Sequence, residues 1–148
     1  MSVNKKYAKL MYDYLLETLL EQQQYELYIY ALTVLHTGLR TADAIELTWD
    51  QFKGNKFVNV KQHRQSSIMG KDVFEDIKVF SPQQYIARLE RGMLKATPIE
   101  GKMFSFKSKY AITHLLRKHT GTLLFSHELR IFWSWLIEKE SDNVETIK

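Results

Sequence analysis

Two stretches carry residue types that could hold an anion. Ser126-His127-Glu128-Leu129-Arg130 places a His and an Arg three residues apart at the expected start of a helix, so both side chains leave one face. Thr37-Gly38-Leu39-Arg40 places an Arg just past a Gly suited to end a helix. Each guanidinium offers a planar fork that matches two phosphate oxygens, and an imidazole can donate to a third or move a proton. Brought to one point, the three would grip a phosphodiester.

The elements that must position them read as mainly α with one small antiparallel β-hairpin, an α+β class, over residues 1–148 as one domain. Apolar residues recur at three and four from Lys5 to Gln22, and Gln22-Gln23-Gln24 is a polar break. Tyr25 to His36 is apolar enough to be a buried helix, and Gly38 suits its left-handed cap. Thr41 can cap a third helix, Ala42 to Thr48, with Asp43 near its positive end. Lys56–Val60 and Val73–Phe80 are strand-like, and Gln62 to Lys71 is expected to be a polar loop between them.

Ser81-Pro82-Gln83-Gln84 has the form of a capping box with Pro at the first helical position, opening a helix to about Lys95. Thr97 to Gly101 is a turn, Met103 to Phe106 a short buried piece, and Ser108 caps a helix to about Lys118. Ser126 caps the last helix, whose buried stripe is Leu129, Phe132, Trp133, Leu136 and Ile137. Asp142-Asn143-Val144-Glu145 is a further capping box, so another helix is expected to begin where the sequence stops.

Composition narrows the classes. Hydrophobic content of 45% with 26% charged residues excludes a disordered chain. The charge of +4 and pI near 9.2 are a mild basic bias, compatible with nucleic acid. No cysteine is present, which removes disulfides and thiolate zinc sites and fits a reducing cytoplasm. No apolar run has membrane-spanning length. His114 and His119 do not share a helix face and no carboxylate cluster supports them, so no metal site and no cofactor are expected. Glu75 and Asp76 alternate in a strand and cannot act together on one face. Ordinary readings stand beside the functional one: Arg40 could pair with Asp43, Arg130 could lie on the surface, and Tyr25, Tyr28 and Tyr30 suit core or dimer packing. Lys61, His63, Arg64 and Lys71 fit either a soluble hairpin tip or DNA contacts.

Thr37-Gly38-Leu39-Arg40-Thr41-Ala42-Asp43, continued to Trp49, resembles the first active-site box of the tyrosine recombinases, the phage-integrase superfamily. Ser126-His127-Glu128-Leu129-Arg130 is similar to their H-x-L-R box, and the order of Arg box, hairpin, helices and H-x-x-R helix agrees. The resemblance covers roughly Tyr25 to Lys148. It implies a tyrosine-recombinase catalytic-domain-like fold in which Arg40 and Arg130 clamp the scissile phosphate. His127 would hydrogen-bond that phosphate, and Asp43 would buttress the first Arg.

The hairpin Lys of the family would correspond to Lys71, although counting from Trp49 lands at His63 and Arg64. The implied partner is double-stranded DNA in a bacterial or phage-encoded cytoplasmic protein, with a homo-oligomer on the DNA an open option. The implied reaction is metal-free strand exchange through a phosphotyrosyl enzyme. The sequence departs from the family after Arg130: none of its eight tyrosines lies beyond that residue, and Ile131 stands where His is common. A catalytically inactive DNA-binding regulator or a protein-interaction module is therefore the alternative expectation.

Overall fold

The computed structural model describes residues 1–93 and 101–139. The chain is mainly helical with a two-stranded antiparallel sheet. Helix α1 (Val3–Glu21) starts from Ser2, whose hydroxyl accepts the Lys5 main-chain N–H at 3.1 Å. Its face of Ala8, Tyr12, Leu15, Leu16 and Leu19 is buried, a spacing of three and four that lays one stripe on the core. The polar Gln22–Gln24 break contains Gln23 at φ 58°, which turns the chain back.

Helix α2 (Tyr25–Thr37) is the centre of the fold. Every residue from Leu27 to Thr37 is buried, as expected for a helix that is apolar on all sides. Full burial of each Leu or Ile in it contributes roughly 1.5–3 kcal/mol. Gly38 follows at φ 70°, the left-handed conformation that a side chain resists. Short helix α3 (Thr41–Ala44) comes next, ending before the helix expected to reach Thr48. Leu47 and Thr48 are drawn instead into pairing with the distant 101–103 segment: Met103 N–H donates to the Leu47 carbonyl at 3.0 Å and Trp49 N–H to that of Gly101 at 2.9 Å. Arg40, not Thr41, occupies the cap position, and the Thr41 hydroxyl accepts from Tyr30 at 3.3 Å.

Strands β1 (Lys56–Lys61) and β2 (Phe74–Lys78) pair antiparallel, with a register irregularity between Phe57 and Val60 where Asn59 takes φ 53°. The polar loop expected between them is a helix, α4 (His63–Met69), closed by left-handed Gly70. Helix α5 (Pro82–Met93) begins at its proline, but Ser81 sits at φ 47° and not in the extended backbone of a capping residue. Gly92 of α5 lies so close to α2 that a methyl there would be 2.7 Å from the Tyr28 ring. Helix α6 (Lys109–Thr120) is capped by Ser108, which accepts from Ala111, and ends at left-handed Gly121. Helix α7 (Glu128–Leu136) buries Leu129, Phe132 and Leu136 against α1 and α2, while Ile137 stays exposed. The expected turn at Thr97–Gly101 falls largely, and the expected helix after Asp142 wholly, outside the described residues.

A buried histidine joins three parts of this core. His36 lies between the Tyr12 hydroxyl at 2.7 Å from Nε2 and the Phe80 carbonyl at 2.5 Å from Nδ1. Nδ1 faces a carbonyl and so must carry the proton, leaving Nε2 to accept from Tyr12. Burial lowers its pKa to about 4, against the pull of the Phe80 carbonyl. The unfolded chain therefore binds a proton that the native state refuses between the ordinary value and about pH 4. This stabilisation is complete above pH 6.5 and is lost as pH falls toward 4, amounting to about 3 kcal/mol. Urea unfolding at pH 7 and pH 4.5 should show this loss, and a His36→Gln variant should show a flatter dependence.

Candidate functional site

Arg40 and Arg130, far apart in sequence, line one open cleft of about 440 Å³. Asp43, Gln62, Arg64, Gln65, Val73 and Glu75 complete its wall. Arg40 reaches it from the extended residue between Gly38 and α3, where its carbonyl accepts the N–H groups of Asp43 at 3.0 Å and Ala44 at 2.9 Å. The corner before it is fixed by Thr37, whose hydroxyl donates to the Thr33 carbonyl at 2.8 Å and accepts from the Leu39 N–H at 3.3 Å.

Arg130 enters from the first turn of α7. Its Nε–H donates to the Gly38 carbonyl at 2.6 Å, which fixes the root of the guanidinium and leaves its two terminal nitrogens for a ligand. The ring of Trp133, one turn on, covers Gly38 so closely that a Cβ there would sit 2.3 Å from ring carbons. The Gly38 corner is therefore shared by both arginines: it turns the chain toward Arg40 and receives Arg130. Partial burial, the charge of Arg40 and more weakly that of Arg64 hold the Arg130 pKa below its ordinary value, with Asp43 pulling the other way. Arg130 stays charged at any physiological pH. Among the described residues, none of Arg40, Arg64 and Arg130 has an ion-pair partner within 4 Å.

Other residues singled out from sequence lie elsewhere. His127 precedes α7, its ring is stacked on Phe125 with centroids 5.7 Å apart, and it is not among the cleft residues. The three-residue spacing to Arg130 thus does not make His127 part of this cleft wall. Lys71, past the Gly70 cap, is exposed and also outside the cleft wall. Lys61 forms an exposed ion pair with Asp72 at 3.5 Å. The buried Asp43 carboxylate does not pair with Arg40. Its Oδ1 accepts both the main-chain N–H of His63 at 2.9 Å and Nδ1 of the same residue at 2.7 Å. His63 Nε2 lies 3.0 Å from Glu46. Glu75 lines the cleft while Asp76 pairs with Lys56 at 3.5 Å.

Sequence reasoning missed Gln62, Gln65, Val73 and Glu75 as cleft residues. Gln62 and Gln65 read as an ordinary polar tip and Val73 and Glu75 as plain strand residues; they come together because α4 starts beside Asp43 and the Gln62 N–H donates to the Val73 carbonyl at 2.8 Å. Among the described residues, no group of three or more His, Asp or Glu is placed to hold a metal ion, and no helix is long and apolar enough to cross a membrane. The cleft presents guanidinium and amide donors, the groups that suit an anion, beside the carboxylates of Asp43 and Glu75. Among the described residues no hydroxyl side chain lines it.

Compared with protein-family models, with curated proteins and with solved structures, the chain finds no match.

Two outcomes follow from this geometry. Gly38→Ala should destabilise the fold by roughly 2–4 kcal/mol, combining left-handed strain with overpacking against Trp133; denaturant unfolding followed by tryptophan fluorescence measures it. For His63, partial burial opposes charging, but the hydrogen bonds and charges of Asp43 and Glu46 outweigh it and raise the pKa above the ordinary 6.5. An NMR titration of its ring should show this, and Asp43→Asn should lower the value.

Proposed function

We propose that this chain binds double-stranded DNA by gripping a backbone phosphate in the Arg40–Arg130 cleft, as the tyrosine recombinases it resembles hold a scissile phosphate. The observation that carries this reading is the convergence of Arg40 and Arg130 on one open cleft without ion-pair partners among the described residues. Three guanidiniums share the wall with only two carboxylates, Asp43 and Glu75, neither of them in an ion pair with an arginine among the described residues, and an anion of matching geometry would offset the repulsion between the guanidiniums. Arg130 donates through Nε to Gly38 and keeps its terminal nitrogens free for two phosphate oxygens. Arg40, an exposed residue on the same cleft wall, supplies a second fork.

On this reading the two guanidiniums stabilise negative charge on the phosphate by preorganised donors. Site-specific recombination or integration of a mobile element is the reaction the resemblance suggests, with Arg40 and Arg130 in the clamp. Binding without strand cleavage, as in a DNA-binding regulator of the same descent, is the second reading. It asks of the cleft only the guanidinium and amide donors that line it. The two share the clamp and differ in whether a covalent protein–DNA adduct forms.

Fluorescence anisotropy on a short labelled duplex should show affinity that falls steeply with salt. Arg40→Ala and Arg130→Ala should each weaken binding and make the slope of log affinity against log salt shallower by about one. Arg130→Lys should fail to restore full affinity, because a lysine cannot both hold the Gly38 carbonyl and present a fork. No binding at low salt, or binding indifferent to both arginines, overturns the proposal. Denaturing electrophoresis after incubation with nicked duplexes separates the two readings: a covalent adduct favours recombination, and its absence with retained binding favours the regulator.

A further inference from the structure

The hairpin helix α4 brings a third guanidinium, Arg64, to the same cleft. Its position is set from one residue away. His63 opens α4, and its main-chain N–H and ring Nδ1 both meet Oδ1 of Asp43, a carboxylate buried in α3. The other ring nitrogen meets Glu46, just past α3. Three contacts through one residue thus tie the start of α4 to the helix that Arg40 introduces. Helix α4 has no buried residue of its own, so core packing does not fix its place. The Ser66 hydroxyl, which accepts the Val73 N–H at 2.9 Å, ties the middle of α4 to the returning strand, while the clasp at His63 fixes the end from which Arg64, next in the chain, departs. The field of Arg64 reaches Arg130 across the cleft, which places the two charges in one electrostatic environment.

We propose that Arg64 is the third phosphate-gripping guanidinium of the cleft and that His63 is its positioning residue, clasped between Asp43 and Glu46. This rests on the phosphate-binding reading above and assigns two residues of the hairpin different tasks within it. Arg64 touches the ligand. His63 is occupied at both ring nitrogens and acts through its neighbour. Neither Lys61, engaged with Asp72, nor Lys71, outside the cleft wall, takes part.

The test compares Arg64→Ala, Arg64→Lys, His63→Ala, His63→Asn and the His63→Ala/Arg64→Ala double variant for binding to a short labelled duplex over a range of salt. Arg64→Ala should make the salt slope shallower by about one, the mark of one lost phosphate contact. Arg64→Lys should keep most of the slope but lose several-fold in affinity, since the fork is lost and the charge is not. His63→Ala should weaken binding about as much as Arg64→Ala, and the double variant should be no weaker than either. His63→Asn, which keeps a donor near the Nδ1 position, should recover part of the loss. A role confined to general stability would give additive losses and no such rescue.

In parallel, the arginine Nε–H resonances of the wild-type protein are followed on adding inorganic phosphate. Shifts at Arg64 together with Arg40 and Arg130 support the shared grip. An unchanged salt slope in Arg64→Ala, or additive losses in the double variant, overturns the inference while leaving the two-arginine clamp standing. Phosphate shifts at all three arginines without duplex binding support the shared grip and overturn the DNA reading. Neither phosphate shifts nor duplex binding overturns both.

Discussion

Helix α7 can meet the end of α2 because residue 38 has no side chain. Its φ of 70° reverses the chain, and the bare Cα lets the Trp133 ring lie where any Cβ would collide. That close approach puts the Gly38 carbonyl within reach of Arg130 at 2.6 Å. One small residue therefore serves as hinge, packing surface and acceptor together. The buried faces of α2 and α7 hold the joint closed: Leu129, Phe132 and Leu136 belong to the same apolar cluster as the whole inner length of α2. At the other end of α7 the joint is steadied by α1. Lys5 donates to the Glu138 carbonyl at 2.6 Å, a cation placed at the negative end of a helix, and Tyr7 meets Phe132 edge-on at 5.7 Å.

On this joint the cleft gathers three guanidiniums, with the carboxylates of Asp43 and Glu75 on the same wall. Arg130 feels burial first and the repulsion of Arg40 second, so the guanidiniums approach one another without mutual benefit. Flexible side chains left to themselves would spread apart. Here the roots are pinned: Arg130 through Nε, Arg40 by the α3 corner whose amides close on its own carbonyl. Such preorganisation makes a cation pair useful, because the cost of assembling it is met by folding and not at the moment of binding. Asp43 lends a counter-charge to the wall while its own hydrogen bonds go to His63.

The parts of the fold legible from sequence are those where local pattern and tertiary need agree. Helix α2 announces itself by an unbroken apolar run, and Gly38 by its place just past it. Ser108 and Gly121 mark the ends of α6 by chemistry that acts within a few residues. What sequence reasoning misjudged was decided at a distance. The segment His63–Met69 has no apolar stripe and so reads as loop. It is a helix tied at its start to Asp43, twenty residues upstream. Helix α3 stops early because Leu47 and Thr48 pair with the distant 101–103 segment. His127 sits at the right spacing from Arg130, yet the neighbouring ring of Phe125 takes up its imidazole. The arginines of the cleft were visible as types and spacings, but the Gln and Glu side chains between them belong to no motif.

The small sheet has a further consequence for the behaviour of many copies in solution. Among the described residues β2 pairs in the sheet with β1 alone, so its outer edge carries no further strand. An open strand margin of this kind invites a second molecule to continue the sheet. The margin reads Phe74-Glu75-Asp76-Ile77-Lys78, five residues long with charges at three of them, and all but Ile77 are exposed. Two such margins brought side by side would align like charges or strip water from carboxylates. Brevity and ionic side chains thus guard the hairpin against self-templated stacking.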